Sequence, residues 1–263
     1  MRVFLELAYD GSRYHGWQRQ PASLTVQEVL EDNMARLFGG PCPVMGCGRT
    51  DAGVHAKYYV AHAQLPPGAF GNRVGSLEEA AMKLNGMLPS DIGIFAMHEV
   101  AEKAHARFDA TERSYAYHLH STKDPFLEGR STRIYGSLDM DAVAEASAHF
   151  IQKGDFASFC KAGSDQGTTI CDVREARWET VGAHRWVFHV SSDRFLRNMV
   201  RAMVGTLIEV GKGKRKPSDI PKILEACDRS SAGKSALGCG LYLSRVKYPP
   251  EVFTPLETSI PLS

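Results

Sequence analysis

At 263 residues, 43% of them hydrophobic and 23% charged, the chain is long enough for one large domain or two moderate ones, each with a core. This is not the composition of a disordered or low-complexity polymer. The net charge of +1 means that a polyanionic partner has to be met by a local patch of Lys and Arg. No apolar run approaches the roughly 18 residues that span a bilayer, and Glu6 interrupts any signal-peptide core. Six cysteines without a Cys-x-x-Cys pair are expected to be reduced thiols of a cytoplasmic protein.

Val3, Leu5, Leu7 and Tyr9 alternate with polar or small residues and predict a half-buried strand that Asp10-Gly11-Ser12 ends. Next comes Arg13-Tyr14-His15-Gly16-Trp17-Gln18-Arg19-Gln20, a mixture of cations, aromatics and amides. Such a mixture suits single-stranded RNA, where rings stack on bases and cations hold phosphates. On this stretch alone, a solvated loop around one packed Trp is the better reading. Thr25-Val26-Gln27-Glu28 is a capping box, followed at helical spacing by Val29, Leu30, Met34 and Leu37 and closed by Gly39-Gly40. Two short strands, Cys42 to Cys47 and Lys57 to Leu65, flank the turn Gly48-Arg49-Thr50-Asp51-Ala52-Gly53-Val54-His55-Ala56. Ser76-Leu77-Glu78-Glu79 caps a second helix, and Asp91 to Val100 reads as a strand.

The first hundred residues thus run β-α-β-β-α-β, and the second half echoes them. Tyr115, Tyr117 and Leu119 alternate as a strand, and Asp139 opens a helix. Two strands follow, Thr169 to Thr180 and His184 to Ser192, then a helix from Phe195 to Val210, a shorter one after Pro217, and a strand from Gly240 to Tyr248. The expected fold class is α+β, with two ferredoxin-like βαββαβ halves whose mainly antiparallel sheets face a central cleft. The expected divisions are 1–108, 109–248 and an extended tail over 249–263.

Positive charge gathers late in the chain. On the expected helix, Arg194, Arg197 and Arg201 fall along one flank of an apolar stripe, and Lys212, Lys214, Arg215 and Lys216 follow. That flank reads either as a solvated face or as a phosphate-binding edge, with Arg201 nearest the core. In the turn, Arg49 and Asp51 stand two residues apart at a strand end, where reactive groups are often displayed. An Asp there is also a common turn residue that hydrogen-bonds its own backbone. There is no P-loop and no Gly-x-Ser-x-Gly elbow. His55, His62 and Cys47 match no common zinc spacing.

Gly48 to Ala56 resembles the catalytic motif of the tRNA pseudouridine synthase A family. Tyr9-Asp10-Gly11-Ser12 with Gly16-Trp17-Gln18-Arg19-Gln20 and Thr25-Val26-Gln27-Glu28 resemble the family's opening, His105-Ala106-Arg107-Phe108 with Ala110-Thr111 and Arg113-Ser114-Tyr115-Ala116-Tyr117 its central motif, and Met199-Val200-Arg201 with Val204-Gly205 and Gly240-Leu241-Tyr242-Leu243 its C-terminal motifs. The chain departs from the family pattern at Ser114, at Arg197-Asn198 and over Gly163 to Asp172. The resemblance implies an isomerase that converts uridine to pseudouridine on the 3′ side of the tRNA anticodon stem-loop (positions 38, 39 and 40). It further implies a homodimer with neither metal nor organic cofactor. Asp51 is then the catalytic carboxylate, Arg201 its guanidinium partner, and Tyr115 the ring stacked on the target uracil. Arg49 is the residue that fills the place of the extruded base. Further RNA contacts are expected from Arg13, Gln18, Arg19, His55, Arg107, Arg194 and Arg197. A non-catalytic RNA-binding protein and a glycosylase that releases the base are the alternatives.

Overall fold

In the computed structural model, which describes residues 1–71, 74–164 and 167–254, the alternating run at the N-terminus folds as β1 (Arg2–Tyr9). It is followed by α1 (Val26–Phe38), β2 (Val44–Gly46), β3 (His55–Gln64), α2 (Leu77–Met87) and β4 (Ile92–Val100). Both side-chain N-caps form. Thr25 accepts the Glu28 N–H at 3.3 Å, and Ser76 accepts the Glu79 N–H at 3.1 Å. Gly39, at φ +76°, closes α1 in the left-handed conformation open to glycine. The strands lie in the order β4-β1-β3-β2, every neighbouring pair antiparallel, which is the ferredoxin-like arrangement.

β1 departs from the half-buried expectation, because both of its faces are covered. Val3, Leu5 and Leu7 are buried, and so are Phe4 and Glu6. The second face is covered by Tyr248 and Phe253, whose rings lie 5.5 and 5.3 Å from that of Phe4. Glu6 is tolerated there because the Tyr58 hydroxyl donates to it at 2.6 Å and His98 Nε2 lies 2.7 Å away. The expected extended tail instead begins with a turn: the Pro249 carbonyl accepts the N–H groups of Val252 and Phe253 at 2.9 and 3.2 Å. Residues 255–263 of that tail lie outside the described residues.

These elements form one of two units, Met1–Thr111 with the stretch from Arg245; the other is Glu112–Ser244. The second unit holds β5 (Glu112–His120), β6 (Thr132–Arg133), α3 (Met140–Ala148), β7 (Lys153–Asp155), β8 (Ile170–Gly182), β9 (Arg185–Ser192), α4 (Met199–Gly211), α5 (Asp219–Ala226) and the beginning of β10 (Leu241–Lys247). Its strand order is β10-β5-β9-β8-β7, with β6 parallel to β5. Leaving out β6 and β7, this repeats the 4-1-3-2 order of the first unit. β5 pairs with β9 so that Tyr115 faces Val190 and Tyr117 faces Phe188. The fold class is therefore α+β with a mostly antiparallel open sheet. No helix among the described residues is long and apolar enough to cross a membrane.

Candidate active site

The turn carrying Asp51 is the connection between β2 and β3, and aromatic packing decides its shape. Trp17 stacks on Tyr59, centroids 4.1 Å apart at 26°, and Tyr9 meets Tyr59 edge-on at 5.5 Å. The Tyr59 hydroxyl donates to the Gly48 carbonyl. A side chain at Gly46 would strike both the Tyr59 hydroxyl and the Trp17 indole, so glycine is required where these rings pass over β2. The segment after β1 then runs along the turn and ties down its backbone. Trp17 N–H donates to the Thr50 carbonyl and Gly53 N–H to the Tyr14 carbonyl, both at 3.2 Å, while the Tyr9 and Thr50 hydroxyls meet at 2.9 Å. Val54 N–H closes the turn onto the Asp51 carbonyl at 3.2 Å. Thr50 is buried, Asp51 half-buried and Arg49 exposed. A carboxylate and a guanidinium are thus held on a braced backbone, as preorganised chemistry requires.

His55, expected as an RNA contact, is only 2% exposed. Its Nδ1 lies 3.1 Å from both Gly11 N and Asp10 Oδ1, so the ring braces the end of β1 from inside. Arg13 is exposed, with its Nε 2.6 Å from the Asp91 carboxylate, to which the Tyr14 hydroxyl also donates at 2.7 Å. Burial opposes charge on Asp91, but the bonds from Arg13 and Tyr14 outweigh it and hold the carboxyl below the ordinary carboxylate range. Arg19 lies within 3.2–3.7 Å of Glu28, Glu31 and Asp32, and Gln18 beside it is exposed. Arg107 is exposed on the turn after β4.

In the second unit, Tyr115 on β5 is half-buried, its ring edge-to-face with Phe195 at 5.0 Å. Arg201 sits in the first turn of α4, where its Nε donates to the Ala236 carbonyl at 2.8 Å and its own carbonyl accepts the Ala236 N–H at 2.9 Å. The next carbonyl, Leu237, accepts from the hydroxyl of the fully buried Tyr117 at 2.7 Å. One extended strap thus links the helix of Arg201 to the strand of Tyr115. Gly205 permits the close approach, since a side chain there would meet the Lys234 carbonyl at 1.8 Å.

The basic flank needs correcting. α4 begins at Met199 rather than Phe195, so of the three arginines expected on it only Arg201 is helical. The cause is local. Asp193 accepts the N–H groups of Arg194 and Asp172 at 2.7 and 2.8 Å, fixing a non-helical turn. The Arg197 carbonyl is taken by Lys161 N–H at 2.9 Å, and Asn198 adopts φ +67°. Arg194 is half-buried and Arg197 exposed on this turn. Further along, Arg215 is paired with Glu209 at 2.6 Å, whereas Lys212, Lys214 and Lys216 are exposed.

The six cysteines are free thiols, and burial pushes Cys42 up to about 11 and Cys171 up to about 12, which suppresses thiolate chemistry. Among the described residues no three His, Cys, Asp or Glu side chains converge as metal ligands would. Sequence reasoning singled out Asp51, Arg49, Tyr115 and Arg201. It missed what holds them: Tyr9, Trp17 and Tyr59 around the turn, and Tyr117 with Ala236 around Arg201. The aromatic clustering near Trp17 was the available signal.

A family model described as tRNA pseudouridine synthase matches residues 146–249. The tRNA pseudouridine synthase A of Porphyromonas gingivalis is 47% identical over 256 residues, covering 96% of this chain and 99% of its own. That of Bacteroides fragilis is 44% identical over 252 residues, covering 96% and 98%. That of Exiguobacterium sibiricum is 38% identical over 244 residues, covering 92% and 95%.

Proposed function

The chain belongs to the tRNA pseudouridine synthase A family, and on that footing we propose that it isomerises uridine to pseudouridine in tRNA, on the 3′ side of the anticodon stem-loop. The observation that carries this reading is identity of 44–47% over nearly the whole length of proteins that bear that name. In the reaction the N1–C1′ glycosidic bond breaks and the uracil rotates. A C5–C1′ bond then forms, C5 loses its proton and N1 ends protonated, so that nothing is gained or lost overall. The work on the sugar falls to an ionised carboxylate, as in glycosidases. Asp51 is the candidate, supported by its half-buried seat on a braced turn and by the motif around it.

Tyr115 supplies the ring for the uracil and Arg201 the guanidinium that keeps a carboxylate charged and aimed. A uridine in a stem reacts only once extruded, and the exposed side chain of Arg49 suits the vacated position. The arginines Arg13, Arg19, Arg107, Arg194 and Arg197, with Gln18, serve the phosphates and bases around it. A cytoplasmic homodimer completes the reading, on the family resemblance alone.

Carbodiimide-induced primer-extension stops on a tRNA transcript incubated with the protein test the reaction and its position. With C5-tritiated uridine in the transcript, Asp51→Asn should bind tRNA as the wild type does and release no tritium. Wild-type release by that variant would refute the assignment.

A further inference from the structure

Phe108 is 74% exposed, yet its ring is rigidly mounted. It stacks on His105 with centroids 4.2 Å apart at 28°. His105 in turn meets His62 at 4.5 Å, and His62 stacks on the buried Phe4 at 6.3 Å. A ladder of rings therefore runs from the core of the first unit to solvent, ending in a phenyl face with His105 behind it. The backbone of this turn is fixed from several directions. His105 Nδ1 accepts the N–H groups of Arg107 and Phe108 at 3.1 and 3.2 Å, and the Asp109 carboxylate accepts the His105 N–H at 2.7 Å. Below it, His62 Nδ1 accepts the Ala106 N–H at 3.1 Å and the Tyr248 hydroxyl donates to the Ala106 carbonyl at 2.6 Å.

A large apolar ring that is mostly in water gives the fold little beyond its stack on His105, since burial is what would make it stabilising. It does serve a partner with a flat π-face. Cations accompany it: the Arg107 guanidinium lies 5.7 Å from the ring centroid, Lys103 is exposed, and Arg2 donates to the Ala104 carbonyl at 3.0 Å. Against them stand Glu102 and Asp109, the latter turned inward onto the His105 N–H. An exposed ring with a guanidinium over it matches a nucleobase and its phosphate, the base taking the place over the ring as the guanidinium swings onto the phosphate. The place is also remote from the Asp51 turn. His62 lies seven residues beyond His55 on β3, about 23 Å at about 3.3 Å per residue.

We propose that the outer face of Phe108 is a stacking platform for an unpaired base of the RNA substrate, with Arg107 on the neighbouring phosphate, at a subsite remote from the reacting uridine. This rests on tRNA being the substrate. The platform contributes to binding and takes no part in the chemistry.

The test compares Phe108→Ala, Phe108→Leu and Phe108→Trp by affinity for an unmodified tRNA transcript, by kcat at saturating tRNA, and by sedimentation. Base–aromatic stacking predicts that Phe108→Ala raises Kd between about 5- and 150-fold with kcat unchanged. Phe108→Leu should be as weak as Ala, because it is apolar without a π-face, and Phe108→Trp should match or exceed Phe. Because the ring is exposed, thermal melting should not move. An unchanged Kd for Phe108→Ala, or a Leu variant equal to the wild type, would overturn the platform. So would a change of sedimentation in Phe108→Ala, which would mean that a second copy covers the ring. A wild-type protein that makes no pseudouridine would instead defeat the proposed activity, and the binding series would still decide the platform.

Discussion

Adding one methyl group at Gly16 probes how far the chemistry depends on the bracing of the Asp51 turn. Gly16 sits at φ +95°, and a Cβ there would lie 2.4 Å from the Thr50 carbonyl oxygen, 3.2 Å from the Asp51 carbonyl carbon and 3.4 Å from the Ala52 nitrogen. The obstacle is backbone, so no side chain can rotate away. Restoring an ordinary contact of about 3.4 Å from 2.4 Å moves the turn by about 1 Å. A displacement of about 1 Å in a positioned group costs about 100-fold in rate. The left-handed backbone adds about 1–2 kcal/mol of destabilisation, because an L-residue with Cβ is disfavoured there.

Gly68 is the control. It has φ +76° with nothing within 4 Å of the added Cβ, so Gly68→Ala carries the backbone penalty without the collision. Gly16→Ala should lower kcat by about 100-fold in single-turnover tritium release, whereas Gly68→Ala should lose only about 1–2 kcal/mol of stability and keep its kcat. Both are measured at a temperature where urea denaturation shows the variants folded. If Gly16→Ala keeps kcat within about threefold of wild type, the turn's position does not govern the chemistry, and the reasoning from bracing to catalysis fails.

Two further outcomes follow from buried hydrogen bonds. Tyr117→Phe strips the Leu237 carbonyl and the Thr132 hydroxyl of a partner at 2.7 and 2.6 Å; it should cost about 1–3 kcal/mol in urea unfolding and, by loosening the strap on Arg201, reduce kcat more than tRNA affinity. Equal stability of wild type and variant would refute it. His62 is buried and accepts a backbone N–H; burial first, then His105 and Arg2, lower its pKa to about 4, with Asp109 opposing. Because the folded value lies below the ordinary 6.5, the unfolded chain takes up the proton first. Stability from this group is complete above pH 6.5 and is lost as pH falls toward 4, about 2 kcal/mol by pH 5. His62→Asn keeps an acceptor and should flatten that part of the pH–stability curve; an unchanged slope would show that His62 is not its source.

The elements that sequence alone displayed were those with a period or a cap. α1 and α2 open at their Thr25 and Ser76 caps, and Tyr117 and Leu119 on β5 are buried as alternation predicts. β6 and β7 were not legible, being two and three residues long and too short to show a period of two. The error at α4 has a different origin. Phe195 to Asn198 continues an apolar helical pattern perfectly well, and local propensity favours it. What ends the helix is the Asp193 carboxylate on two backbone N–H groups and the capture of the Arg197 carbonyl by Lys161, a residue 36 positions away. Tertiary hydrogen bonds override periodicity, and a sequence window holds no record of them.

The same distinction separates the groups proposed as reactive from the residues that hold each of them. Asp51, Arg49, Tyr115 and Arg201 stand out in sequence because a carboxylate, a ring or a guanidinium is recognisable wherever it occurs. The supporting residues are recognisable only by partner. Trp17 reads as a packed ring whose partner the sequence does not name; Tyr59 stacked on it makes it part of the wall behind the Asp51 turn. His55 reads as a surface ligand until Gly11 N and Asp10 are found at its Nδ1. Arg13 and Arg19 keep their exposure but share it with carboxylates at 2.6 to 3.7 Å, so an RNA phosphate has to compete with Asp91, Glu28, Glu31 and Asp32 for them. The guanidinium ends of these pairs are exposed and so weakly held, and a polyanion carrying many phosphates can displace the carboxylates one by one. On the first unit the backbone of the Asp51 turn is therefore held by hydrogen bonds within the protein, while Arg13 and Arg19 can exchange their carboxylate partners for phosphates.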